Sequence, residues 1–79
     1  MMKLSRHAKN NMKLYKIAEQ DIIKTIESPE STGREGDKLI AIKKFLKQFS
    51  DYPVKVVYER TGGEIRIITA YPLKKKYWR

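Results

Sequence analysis

The chain has 79 residues, a formal net charge of +9, 41% hydrophobic residues and no cysteine. That size predicts a single domain over residues 1–79 with a thin core. The composition excludes disulfides, a thiolate metal site and wholesale disorder, and the charge favours an anionic partner.

The charge is segregated. Residues 1–16 carry five bases and no acid, residues 17–37 are net −4, residues 38–51 are +3 and residues 52–79 are +5. Two basic ends flank an acidic middle, and they make one patch if the fold brings them together. No apolar run follows Lys3 and no stretch approaches the roughly 20 apolar residues of a membrane span, so neither a signal peptide nor a membrane location is expected. The lack of cysteine fits a reducing compartment, and a cytoplasmic protein is the default expectation.

In chain order, Leu4, Ala8, Met12 and Tyr15 recur at helical spacing, so residues 5–15 read as an amphipathic helix with Ser5 as its N-cap. Arg6, Lys9 and Lys13 fall on the polar side, and His7 falls at the border between the two sides. A second helix begins near Ala18. Glu19 and Asp21 suit its positive end, Ile17 can staple onto Ile22, and Ile22, Ile23 and Ile26 make its buried face. Ser28-Pro29 stops it, because the residue before proline is pushed out of helical geometry. "ESPESTGREGD" then reads as a loop. "KLIAIKKFLKQF" fits a helix on Leu39, Ile42, Phe45, Leu46 and Phe49, or a broken strand, and periodicity does not choose.

The last third is a hairpin. "VKVVYE" and "EIRIITAY" are rich in β-branched and aromatic residues and flank Gly62-Gly63. A turn there sets Glu59 opposite Arg66, Tyr58 opposite Ile67, Val57 opposite Ile68 and Val54 opposite Tyr71. Strict alternation then sends Thr69 and Tyr71 to the packed face with Val54, Val56 and Tyr58, and sends Ile68 and Ala70 to the other. Pro72 ends the ladder. The basic, aromatic tail Leu73-Lys74-Lys75-Lys76-Tyr77-Trp78-Arg79 follows.

One histidine and no cysteine give no metal-ligand cluster, no glycine loop precedes a helix, and no cofactor is expected. Metal-independent chemistry on a polyanion remains. RNA cleavage requires a base, an acid and cations that stabilise the phosphorane-like state. His7, Lys43, Lys44, Glu59, Arg66, Tyr71 and Tyr77 offer those groups. Each also has a plainer reading. Glu59 and Arg66 make an ordinary cross-strand ion pair, Thr69 and Tyr71 are strand residues, and the lysine run is a solvated tail beside two stacking aromatics.

Several of these residues carry a resemblance. His7-Ala8, Met12, Ile17, Asp21-Ile22, Pro29, Val56-Val57-Tyr58 and Ile68-Thr69-Ala70-Tyr71-Pro72 resemble a small prokaryotic domain-of-unknown-function family. That family is similar to the RelE-type ribonuclease toxins, a superfamily that also includes the BrnT toxins. The resemblance implies an α+β fold, two N-terminal helices on a three- to four-stranded antiparallel sheet in the order ααβββ, with "KLIAIKK" as a strand. It implies a metal-independent endoribonuclease, the toxin of a toxin–antitoxin pair, with His7, Lys43 or Lys44, Arg66, Thr69 and Tyr71 as its polar site positions, and of these His7, Lys44, Arg66 and Tyr71 are the expected catalytic residues. Arg6, Lys9, Lys13, Lys43, Thr69, Lys74, Lys75, Lys76, Tyr77, Trp78 and Arg79 are the expected RNA-binding positions. The implied partners are RNA and an acidic antitoxin-like protein. The alternative is a basic module that binds nucleic acid or protein without cleaving. Strand edges leave a place for a second copy or an edge-pairing partner.

Overall fold

Ser5 starts the first helix. Its extended backbone lets the hydroxyl accept from the Ala8 N–H at 3.0 Å, which satisfies one of the donors a helix leaves free. In the computed structural model, which describes residues 2–45 and 52–73, strand β1 (Met2–Leu4) precedes this helix, α1 (Arg6–Tyr15). Lys16 ends α1 in the left-handed region at φ 57°, and the Ile17 N–H returns to the Met12 carbonyl at 2.9 Å. Helix α2 (Glu19–Glu27) opens with the Asp21 carboxylate accepting the Ala18 N–H at 3.0 Å. Ile17 and Ile22, one on each side of that cap, are both buried, as a hydrophobic staple requires.

Four more strands follow: β2 (Ser31–Glu35), β3 (Lys38–Lys44), β4 (Pro53–Thr61) and β5 (Glu64–Pro72). They form one five-stranded sheet in the order β1-β5-β4-β3-β2, antiparallel except for the parallel pair β1–β5. This corrects the expected ααβββ arrangement with its three- to four-stranded antiparallel sheet. Both unexpected strands lie at sheet edges, where neighbours supply what sequence pattern lacks. β1 has three residues, too few to show a period, and pairs Met2–Leu4 with Ile65–Ile67. β2 arises inside the expected loop. All five of its residues are exposed, so no apolar alternation marks it. It is held by the free edge of β3, from Ser31 opposite Ile42 to Glu35 opposite Lys38, after a turn at Gly36 with φ 64°.

The β4–β5 hairpin turns at Gly62, φ 61°, and its register begins as the sequence predicts, with Glu59 opposite Arg66 and Tyr58 opposite Ile67. It then slips by one residue. Val57 pairs with Thr69, Val56 with Ala70, Lys55 with Tyr71 and Val54 with Pro72, which leaves Ile68 as the extra residue of a β-bulge. The bulge reverses the alternation beyond it. Ala70 enters the core at 0% exposure, and Tyr71 comes to lie beside Lys55 instead of Val54.

The core lies between the helices and one sheet face. Ala8, Ile17 and Ile22 pack with Ala41, Phe45, Val54, Val56, Tyr58, Ile67 and Ala70. Ala8, Ala41 and Ala70, all fully buried, fill the core with single methyl groups. The expected isoleucine face of α2 is rotated. Ile22 is fully buried, Ile26 is half-buried and Ile23 is exposed. Thr25 takes the inner position instead, with its hydroxyl donating to the Asp21 carbonyl at 2.7 Å, so burial leaves no polar atom unpaired.

Candidate functional site

The helices cover one face of the sheet. Register assigns the opposite face to residues out of phase with Val54, Val56 and Tyr58. Three rows cross it. Ile42, Lys55 and Tyr71 form one, with the Lys55 ammonium 5.8 Å from the centre of the Tyr71 ring. Ile40, Val57 and Thr69 form the middle row. Glu59, Arg66 and Lys3 form the third. Val57 is buried yet stands outside the cluster beneath the helices, so this face has a small apolar floor of its own. Lys44, exposed at the end of β3 opposite Pro53, belongs to the same face. Cations and an aromatic ring on an apolar floor are a combination suited to bases and phosphates together.

Charge pairing on this face is sparse. Among the described residues the one ion pair is Lys3–Glu64 at 3.3 Å, and both side chains are about half exposed or more, so water screens it. Glu59 and Arg66 sit opposite each other, as the sequence predicts, but do not close within ion-pair distance. A hollow lined by Lys3, Leu4, Ser5, Glu64 and Arg66 opens at this end of the sheet.

Helix α1 is fastened to β5 where the bulge lies. The Ser5 N–H donates to the Ile67 carbonyl at 3.1 Å, and the Ser5 hydroxyl to the Ile68 carbonyl at 2.7 Å. One and a half turns on, the Asn11 side-chain amide donates to Thr69 Oγ1 at 3.1 Å. β1 ends its pairing at Ile67, so the bulge marks where α1 replaces β1 along the β5 border. His7 is exposed and lies four residues before Asn11, on the same helical stripe.

The sequence-predicted residues therefore divide. Arg66, Thr69 and Tyr71 share β5, and His7 rides on the helix fastened to it. Arg66 and Tyr71 do not converge. Their partners Glu59 and Lys55 are four residues apart on β4, which is about 13 Å at strand rise. Lys44 lies two strands away from β5, about 10 Å across the sheet. Lys43 points to the helix side, where its ammonium donates to the Ser28 carbonyl at the end of α2 at 3.0 Å, a favourable place for a cation. Arg6, Lys9 and Lys13 form an exposed stripe on α1. Lys74, Lys75, Lys76, Tyr77, Trp78 and Arg79 lie outside the described residues. Sequence reasoning missed Lys55, Asn11 and Ser5 in its second role. The legible signal for Asn11 is its place, a polar residue between Ala8 and Met12 on the packed border of α1.

Among the described residues, no three His, Cys, Asp or Glu side chains cluster to hold a metal ion, and no helix is long and apolar enough to cross a membrane. No protein-family model matches the chain, and no curated protein matches it either.

Proposed function

We propose that the protein binds RNA on its uncovered sheet face and acts there as a metal-independent, toxin-like endoribonuclease of the cytoplasm, held in check by an acidic antitoxin-like partner. The observation that carries the reading is the Lys55–Tyr71 pair on one face with Arg66, Thr69 and Lys44, opposite the face the helices cover. Tyr71 stacks on a base. Lys44, Lys55 and Arg66 hold phosphates and stabilise the charge that develops on the reacting one. His7 moves the proton. In the reaction the 2′-oxygen gives its proton to a base and attacks phosphorus, the P–O5′ bond breaks, and O5′ takes up a proton.

The test is a chelator-treated, nuclease-free preparation incubated with end-labelled RNA. The expected result is cleavage that leaves 2′,3′-cyclic phosphate ends and falls sharply in folded Arg66→Ala. Growth arrest on induced expression, lost in the same variant, is the expected result in cells. The roughly 13 Å between Arg66 and Tyr71 favours a second reading, a binding module that holds successive groups of an extended polyanion without cutting it. RNA bound but left intact decides for that second reading and against cleavage.

A further inference from the structure

We infer that Asn11 is a positioning residue whose side-chain amide turns the Thr69 hydroxyl into a donor for a phosphate oxygen, at the seam between α1 and β5. The inference rests on the sheet face being a polyanion surface. Asn11 is half-buried at the border of the face that Ala8 and Met12 pack against the core. An amide in that place is costly unless it is paired, and its one described bond is to Thr69 Oγ1 at 3.1 Å.

The direction of that bond matters. A hydroxyl has one proton and two lone pairs. Thr69 accepts from Asn11 with a lone pair, so its proton is left to donate, and accepting one hydrogen bond strengthens the next along the chain. Among the described residues no acceptor takes that proton. Thr25 is the contrast, since its hydroxyl is satisfied by the Asp21 carbonyl one turn away. Thr69 also stands in the right row. It lies between the Arg66 row and the Lys55–Tyr71 row, so a neutral donor fills the gap between two charged ends. An extended phosphodiester laid along β5 meets Arg66, then Thr69, then Lys55 and Tyr71. The two Ser5 bonds to Ile67 and Ile68 hold the helix in place, so Asn11 does not drift away from the strand.

The test uses the full chain and two probes, a fluorescently labelled oligoribonucleotide and inorganic phosphate. Thr69→Val keeps the shape and removes the donor, and Thr69→Ser keeps the donor. The expected result is that Asn11→Ala and Thr69→Val each weaken oligoribonucleotide binding about tenfold, the size of one hydrogen bond to a charged group. The double variant loses no more than either alone, and Thr69→Ser binds like the parent. Variants that melt like the parent and bind RNA equally well overturn the inference and leave the proposed function standing. A parent that binds no RNA overturns the proposed function, and the phosphate titration then decides. Phosphate-dependent NMR shifts at the Thr69 amide and the Asn11 side-chain amide, lost in Thr69→Val, uphold the seam as an anion site. Their absence in the parent overturns it.

Discussion

The sheet face makes a quantitative demand on salt dependence. Lys44, Lys55 and Arg66 stand on it with no carboxylate within ion-pair distance among the described residues, whereas Lys3 is engaged by Glu64. For a single strand, each phosphate neutralised contributes about 0.7 to the slope of log affinity against log salt. Raising salt fourfold then weakens binding about 2.6-fold for each cation, and about 18-fold for the three together. Fluorescence anisotropy with a labelled oligoribonucleotide, repeated over a salt series, measures the slope directly. Arg66→Ala lowers it by about 0.7, and the triple replacement of Lys44, Lys55 and Arg66 by alanine lowers it by about 2. The slope that survives in the triple variant belongs to the remaining bases of α1 and the tail. A triple variant that keeps its circular dichroism spectrum and the full parental slope refutes the assignment of this face as the polyanion surface.

Three further outcomes check the fold that carries the site. Ile22→Ala empties a fully buried position between α2 and the sheet and is expected to cost about 2–5 kcal/mol in urea denaturation. Ser5→Ala removes both the cap on Ala8 and the bond to the Ile68 carbonyl, so a loss of about 2 kcal/mol is expected, read from the denaturation midpoint. Lys16→Gly relieves a left-handed backbone at a helix end. It is expected to raise stability by about 0.5–1 kcal/mol and the melting temperature with it, the relief of strain exceeding the added freedom of the unfolded chain.

Much of the local structure is legible in the residues themselves. Ser5 announces a helix start because a hydroxyl there satisfies a free N–H, and Ile17 and Ile22 announce the next because they flank its cap. Gly62-Gly63 announces a hairpin because the turn requires a positive φ, and the pairing of Glu59 with Arg66 follows by counting. Segregated charge is legible too, since it requires no geometry. The edge strands are not legible. Ser31–Glu35 has no apolar period and Met2–Leu4 is too short for one, so each becomes a strand only because a neighbour offers unpaired backbone groups.

The candidate site follows the same division. Residue chemistry by itself nominates Arg66, Tyr71, Thr69 and His7. Which of them share a face is decided by one inserted residue, Ile68, because a period of two turns a single-residue slip into a reversal of every later side chain. That bulge sits where α1 takes over the β5 border from β1, a meeting of segments more than fifty positions apart in the chain. Alternation along one strand carries no trace of such a partner. Composition and local pattern therefore determine the helices, the hairpin and the basic character. The bulge at Ile68 decides that Tyr71 lies beside Lys55, and the packing of α1 on β5 decides that Asn11 reaches Thr69.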